Sequence, residues 1–178
     1  MIGRFAVRVA FLFPALVGAS VFMGLQGADA QVKPELLAEN ANWKAHSFVR
    51  DGNRVCYMHA KPAKSTGNFK RRGAPNVMVT RRQGTRTTEE VSVTSGYPYP
   101  EEKPVKVTID GRQYDFDLTH GEHAWVSDES ADATLVRAMI RGRELKVRGV
   151  SLKNTFSEDT YSLIGFTKIH DAIVRACP

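Results

Sequence analysis

The feature that most restricts how this chain can fold is its pair of cysteines, Cys56 and Cys177, which lie 121 residues apart. An even number of cysteines in an exported protein indicates a disulfide. Such a bond would tie the C-terminus to an early strand and stabilise the fold by up to about 4–5 kcal/mol. A reactive thiol or a metal ligand is the alternative, but neither cysteine has a second cysteine or a set of metal ligands near it in sequence.

The N-terminus supplies the export context. Two arginines precede an apolar run over residues 9–25, which a proline and a glycine interrupt, and a small-x-small pattern ends at Ala30. We therefore expect residues 1–30 to be a secretory signal peptide cut near Ala30, with an uncleaved anchor as the alternative. Residues 31–178 should then form a single domain without an integral membrane segment, in the periplasm, at the outer membrane or outside the cell.

The charge of the predicted mature chain is moderately basic. Without Arg4, Arg8 and Asp29, the 25 basic and 19 acidic residues become 23 and 18, a formal charge of +5 before histidine is counted. Outside the inner membrane, this charge favours an anionic envelope or host-surface partner such as lipopolysaccharide, lipid or glycan. The alternative is that the charge only keeps the domain soluble.

Short segments of strand-like alternation fill the mature chain. They lie at residues 43–49, 54–60, 76–82, 89–95, 105–109, 113–118, 123–127, 144–150 and 160–166. Asp-Gly pairs at 51–52 and 110–111 predict tight hairpin turns. Residues 31–41 should be a polar lead-in with a helical turn at 34–38, and residues 61–73 an exposed loop.

Two short helices complete the prediction. Ser130 or Asp132 can cap the first, which Gly142 would end in a left-handed conformation. Thr167 can cap the second, which would run to Ala176. The strand-like segments and the two short helices together predict an all-β fold, a mainly antiparallel sandwich or barrel whose second helix is C-terminal.

A series of landmarks follows in a set order along the chain. They are Trp43, Cys56, Val91-Ser92-Val93, Gly96-Tyr97-Pro98-Tyr99, Val107-Thr108-Ile109-Asp110-Gly111, Ala124-Trp125, Leu135-Val136-Arg137-Ala138-Met139, Gly142, Gly149, Ser151, Asp159-Thr160-Tyr161-Ser162-Leu163, Gly165-Phe166 and Cys177. In this order they resemble the invasion-associated locus B family of exported bacterial proteins. The resemblance implies a disulfide-bonded, β-rich envelope domain, linked in some members to host-cell entry or persistence, and no known reaction.

A basic segment over residues 61–86 lies outside the pattern of that resemblance. Its candidate binding residues are Lys70, Arg71, Arg72, Arg81 and Arg82, and the guanidinium groups of the four arginines could hold phosphate or carboxylate if they converge. The alternative is a solvated loop. A nucleic-acid site would need several aromatic platforms, and the segment offers only Phe69, so we expect no nucleic-acid partner.

Tyr97 and Tyr99 are the remaining candidate contact residues. The prolines that follow each of them favour a rigid, extended segment that could present both rings to a protein or a sugar. The alternative is that the rings pack over the edge of the sheet.

The cluster Asp117, His120, Glu122 and His123 has the residue types of a metal site. Gly121 marks a turn there, however, and polar residues gather in turns for ordinary reasons. We therefore expect a polar turn and no bound metal.

Catalytic motifs are weak in this sequence. Ser151, Asp159 and His170 have the residue types of a hydrolase triad, but residues 149–153 lack the second glycine of a nucleophile elbow. No phosphate-cradling loop or dinucleotide fingerprint occurs. We therefore expect a non-catalytic envelope or surface interaction protein without a cofactor, which could contribute to host-cell invasion or to envelope integrity. The alternative is a periplasmic small-ligand-binding or inhibitor module.

Overall fold

Two antiparallel sheets and two helices make up the part of the chain that the computed structural model describes, residues 33–83, 89–101 and 103–178. The fold class predicted from the sequence is confirmed, and the sheets form a sandwich rather than a closed barrel. The predicted signal peptide over 1–30, its cleavage point at Ala30 and Arg86 of the basic segment lie outside the described residues.

The elements follow one another in short steps along the chain. The strands are β1 (Glu35–Asn40), β2 (Trp43–Arg50), β3 (Asn53–Ala60), β4 (Lys64–Gly67), β5 (Asn76–Arg82), β6 (Glu89–Thr94), β7 (Val105–Ile109), β8 (Arg112–Phe116), β9 (Leu118–His120), β10 (His123–Trp125), β11 (Glu144–Val150) and β12 (Phe156–Ser162). The helices are α1 (Glu129–Arg141) and α2 (Phe166–Ala176). Within the described residues, the larger sheet has seven strands in the order β1-β2-β3-β5-β6-β10-β9, and the smaller has five in the order β4-β12-β11-β7-β8.

Two Asp-Gly turns set the register of the hairpins that they close. Asp51 and Gly52 have φ values of 51° and 76°, and Asp110 and Gly111 have φ values of 45° and 87°. Two successive residues with positive φ match the right-handed twist of the flanking strands, and aspartate and glycine tolerate this conformation best. Both predicted hairpins are confirmed.

The core lies between the sheets and under α2. The inner face of the seven-stranded sheet carries Trp43, Met58, Val77, Val79, Val91 and Val93, all buried. The ring of Trp43 meets Phe166 of α2 edge-on, with a centroid distance of 4.9 Å, and its Nε1 donates to the carbonyl oxygen of Ser162 at 2.9 Å. This side of the sheet is therefore covered by α2. Neither helix in the described ranges is long and apolar enough to cross a membrane.

The two cysteines form the predicted disulfide. Cys56 lies on the inner face of β3, Cys177 follows α2 directly, and their Cα atoms are 6.1 Å apart. Both residues are fully buried. Arg81 of β5 also donates from Nε to the carbonyl oxygen of Cys177. A covalent bond and a charge-assisted hydrogen bond therefore hold the end of α2 against β3 and β5.

Three predictions about where strands begin or are absent need correction. The helical turn predicted at 34–38 is wrong, because the chain enters β1 at Glu35 and pairs with β2 from there. The loop predicted at 61–73 contains the short, exposed edge strand β4. The last strand, predicted at 160–166, occupies Phe156–Ser162 instead. Its inner face carries the polar residues Ser157 and Asp159, both fully buried, which hid the start of the strand from a hydrophobic pattern.

The predicted helix ends also differ from the structure. Asp128, not Ser130 or Asp132, caps α1, and its carboxylate accepts from the Ser130 N–H at 2.9 Å. Asp132 instead accepts the backbone N–H of Val91 at 2.9 Å. Gly142 ends α1 with a φ of −82°, and its lack of a side chain avoids Leu163, whose Cδ1 would lie 2.7 Å from a Cβ there. The N-cap of α2 is Gly165 rather than Thr167.

Replacing both cysteines with serine should lower the free energy of unfolding by about 4 kcal/mol, because the unfolded chain regains the freedom that closing a 121-residue loop removes. Urea unfolding of the oxidised wild type, the reduced wild type and the double variant measures this loss. We expect the reduced protein and the variant to share one lower midpoint. Equal midpoints for the oxidised and reduced wild type would contradict a stabilising disulfide.

Candidate functional site

Arg72, one of the predicted contact residues, lies inside the sandwich. Its Nη1 and Nη2 donate to the two carboxylate oxygens of Asp159 at 2.6 and 2.5 Å, and Nη1 also donates to Ser157 Oγ at 3.1 Å and to the carbonyl oxygen of Ser95 at 3.0 Å. The two charged side chains are 6% and 0% exposed, and the bond to Asp159 raises the pKa of Arg72. The guanidinium also stacks on the ring of Phe69, 4.2 Å away. Arg72 therefore anchors the basic segment to the five-stranded sheet.

Tyr97 and Tyr99 are buried beside this ion pair. They are 8% and 4% exposed, and their ring centroids lie 5.6 Å apart. The Tyr97 hydroxyl lies 2.8 Å from Ser157 Oγ, and the Tyr99 hydroxyl donates to Ser95 Oγ at 2.8 Å. Gly149 makes room for both rings, since a Cβ there would approach each of them within 3 Å. Of the two arrangements considered from the sequence, the rings packed against the sheet are the one that the structure has.

Arg81 takes part in a second polar cluster, next to the disulfide. Its Nη1 lies 3.3 Å from Glu89 Oε1, and the same oxygen lies 2.9 Å from His170 Nε2 of α2. Burial opposes the ionisation of Glu89, but the hydrogen bonds and charges of His170 and Arg81 outweigh it and lower the pKa of this carboxyl. The cluster joins β5 and β6 to α2.

The other predicted basic residues lie at the surface. Lys70 and Arg71 are exposed, and Arg82 is exposed with its Nη1 3.3 Å from Glu90 Oε2. Because Arg72 is buried and Arg81 is bound beside the disulfide, the structure does not bring the five basic residues together on one exposed surface.

The structure also shows where the residues considered for a metal site and for a hydrolase triad lie. Asp117 accepts from the backbone N–H and the hydroxyl of Ser127, and no group of three or more metal-ligating side chains comes together among the described residues. Ser151 Oγ lies 2.7 Å from Thr155 Oγ1. The other two triad candidates bond to Arg72 and to Glu89, so the structure does not bring the triad together.

An open groove crosses the outer face of the seven-stranded sheet, the face that points away from the core. It has a volume of about 570 Å³, and only strand and turn residues line it within the described part of the chain. Its apolar lining includes Phe48, Val55, Tyr57, Met78 and Trp125, and its neutral polar lining includes Asn53, Asn76, Thr80, Gln83 and Ser92. We refer to this feature as the groove.

Antiparallel pairing places these side chains together. Directly opposed residues of neighbouring strands share a face, and the pairs Phe48 with Val55, Tyr57 with Thr80 and Met78 with Ser92 are directly opposed. Each of these strands turns its other face to the core. The groove therefore follows from strand register, and rings from sequence-distant strands line it.

Two histidines extend the aromatic surface beside the groove. The rings of His46 and His59 stack at 5.4 Å, and each stacks on Tyr57, at 5.3 and 6.0 Å. Burial, followed by the charge of Lys44, lowers the pKa of His46, although the nearby carboxylate of Glu39 opposes the shift. Burial, followed by the charges of His46, Lys44 and Lys61, lowers the pKa of His59. Both imidazoles therefore lose a proton more readily than an ordinary histidine does.

Sequence reasoning missed the groove, although a signal was present. The strands β2 and β3 carry large side chains on both faces: Trp43 and Met58 on the inner face, and Phe48 and Tyr57 on the outer. An ordinary half-solvated strand would have polar residues on its outer face. Rings on both faces indicate a surface that is covered or that binds something.

The comparisons with known proteins agree with the order of landmarks in the sequence. A family model described as Invasion associated locus B (IalB) protein matches residues 43–174. The chain belongs to this family. Searches of curated proteins and of solved structures each returned no match.

The IalB match covers the strands and turns that form the groove, from Phe48 to Trp125. It also includes Cys56 and the buried pair of Arg72 and Asp159, and it ends three residues before Cys177. The family resemblance predicted from the sequence is confirmed. The groove and the ion pair thus both belong to the IalB part of the chain.

Arg72 and Arg71 form a matched pair for testing which basic residues of this IalB chain are structural. Arg72→Met should lower the free energy of unfolding by about 3–5 kcal/mol, because it leaves the fully buried Asp159 without its counter-charge. Arg71→Met, at an exposed position, should change it by less than about 0.5 kcal/mol. Urea unfolding of both variants measures the difference, and equal stabilities would contradict the structural role of Arg72.

The histidine stack predicts how stability depends on pH. Because His46 and His59 have a pKa below the ordinary 6.5 when folded, the unfolded chain binds more protons below that value, and stability should fall on acidification. We expect a lower urea midpoint at about pH 5.5 than at about pH 7.5. The acidic groups with lowered pKa, Glu89 and Asp117, titrate below this range.

A double variant, His46→Gln with His59→Gln, should lose less stability over the same pH range. His120→Gln is the control, because His120 is exposed and lies outside the stack. A double variant with the pH response of the wild type would contradict the assignment.

Proposed function

We propose that this IalB chain is an exported, non-catalytic interaction protein of the bacterial envelope or cell surface, and that it binds its partner in the groove. Two observations support export: residues 1–30 have the pattern of a signal peptide, and the two cysteines form a disulfide, which persists in oxidising compartments. The mature domain would act in the periplasm, at the outer membrane or outside the cell. Through this binding it would contribute to envelope integrity or, as the family name suggests, to host invasion.

The observation that carries the proposal is the exposure of large rings in the groove. Phe48, Tyr57 and Trp125 are each half-buried rather than packed in the core, and an open, concave surface joins them. A concave surface that combines aromatic side chains with a few polar groups is typical of binding sites. Aromatic residues are also the side chains that contribute most to binding energy at such sites.

In this proposal the main contact surface is the groove and not the basic segment that the sequence suggested. Of its candidates, Arg72 and Arg81 already have buried or half-buried carboxylate partners, whereas Lys70 and Arg71 are exposed and could add electrostatic attraction to anionic envelope material. Attraction of that kind is screened by salt, whereas burial of rings is not. Salt dependence therefore separates the two surfaces.

A second candidate function is a periplasmic small-ligand-binding module. The volume of about 570 Å³ supports it, because small-molecule pockets span roughly 300–1,000 Å³. In that case a single small molecule would fill the groove, and no larger envelope component would compete for it.

Adsorption of the purified mature domain to isolated envelopes of the source bacterium tests the proposal. We expect a double variant, Phe48→Ala with Trp125→Ala, to adsorb about tenfold more weakly at every salt concentration, because it removes rings at both ends of the groove. Phe156→Ala is the matched control, since Phe156 is a half-buried ring on the five-stranded sheet, under Arg148.

A third variant, Lys70→Ser with Arg71→Ser, should weaken adsorption only at low salt. Circular dichroism and urea unfolding of each variant would confirm that it is folded. Groove variants that adsorb like the wild type would contradict the proposal, and so would a Phe156→Ala variant that adsorbs as weakly as they do.

A further inference from the structure

We infer that the groove binds a saccharide chain without net charge. This inference rests on the proposed function, because it names the chemistry of the partner for the same groove. It follows from the charges in the groove, from the hydrogen bonding of the strands below it, and from the mixture of rings and neutral polar groups that line it.

The charges that line the groove compensate one another. Arg82 and Glu90 form an ion pair at 3.3 Å, and Arg50 and Asp51 add one positive and one negative side chain to the lining, so the charges of these four side chains sum to zero. A polyanion would need an excess of positive charge at the contact surface. The charge balance thus fits a neutral partner better than the anionic partner that the overall charge of the chain suggests.

The backbone below the groove is not available for hydrogen bonding to a peptide. The strands β2, β3, β5 and β6 each pair with a neighbour on both sides. A peptide that binds as an added strand needs an unpaired sheet edge. A partner in the groove must therefore be recognised by side chains alone.

The lining of the groove also disfavours an acyl chain. Thr80, Glu90 and Ser92 place hydroxyl and carboxylate oxygens among the apolar side chains. An alkyl chain over them would remove water without replacing its hydrogen bonds, which costs free energy. A partner must therefore bring hydrogen-bonding groups as well as apolar surface.

A saccharide supplies both kinds of surface. Its C–H faces can pack on the rings of Phe48, Tyr57 and Trp125, and its hydroxyl groups can bond to amides such as Asn76 and Gln83, which both donate and accept. His123 stacks on Trp125 with a centroid distance of 5.8 Å and an angle of 21° between the rings, which enlarges the flat surface at that end.

The extent of the groove favours a chain over a single sugar. Phe48 on β2 and Trp125 on β10 are separated by four strand spacings, which is about 19 Å at about 4.8 Å each. Only an extended partner can contact the rings at both ends of the groove at the same time. Affinity should therefore rise with the number of sugar units until the chain spans the groove, and then level off.

Isothermal titration of the mature domain with neutral oligomers of glucose, galactose and N-acetylglucosamine tests this inference, with lengths from one sugar to chains longer than the groove. We expect at least one series to bind with an affinity that rises with length. Trp125→Ala should weaken this binding about tenfold, Trp125→Phe should retain most of it, and Phe156→Ala should bind like the wild type.

Two other probes, dextran sulfate and a fatty acid, test the alternative partners. Dextran sulfate that binds in the groove, with strong salt dependence and a loss on Trp125→Ala, would overturn the inference in favour of a polyanion. A fatty acid whose binding is lost on Trp125→Ala, while no sugar binds, would also overturn it.

If no neutral sugar binds but adsorption to envelopes still depends on Phe48 and Trp125, the saccharide inference fails and the proposed function stands. If adsorption to envelopes is also unchanged by the groove variants, both the saccharide inference and the proposed function fail.

Discussion

The disulfide between Cys56 and Cys177 fastens the end of α2 to the inner face of the seven-stranded sheet. It joins the inner face of β3 to the end of α2, and the hydrogen bond from Arg81 to the Cys177 carbonyl adds a second attachment. With α2 held there, Trp43 and Phe166 meet in the core. The helix that could have covered the outer face is committed to the inner one, so the rings of the outer face line an open groove.

A second constraint is the buried ion pair that joins the basic segment to β12 of the five-stranded sheet. Arg72 and Asp159 are buried together, and Arg72 also donates to the Ser95 carbonyl oxygen and to Ser157 Oγ. Burying a charged pair is costly unless its geometry and hydrogen bonds are complete, and removing one partner is costlier still. This pair explains why part of a basic segment, which the sequence presents as a contact surface, belongs to the interior.

The fold could be predicted from local signals, whereas the site depends on pairings between distant residues. Asp-Gly turns and alternating valines are local, and they predicted most strands and both hairpins. The start of β12 was hidden because Asp159 has its partner 87 residues earlier, and no periodicity reveals that a buried charge is compensated. The groove was hidden for a similar reason, since strand order brings Trp125 of β10 onto the same outer face as Phe48 and Tyr57.

The central claim is that this IalB chain meets its partner through the groove, and side-chain oxidation in the presence of isolated envelopes tests it most directly. Hydroxyl radicals oxidise exposed methionine and aromatic side chains, and Met78, Trp125 and Phe156 are all half-buried in the free protein. We predict that binding to envelopes protects Met78 and Trp125 and leaves Phe156 unchanged. Unchanged oxidation of Met78 and Trp125 in the bound protein, with protection on the five-stranded sheet instead, would contradict the account.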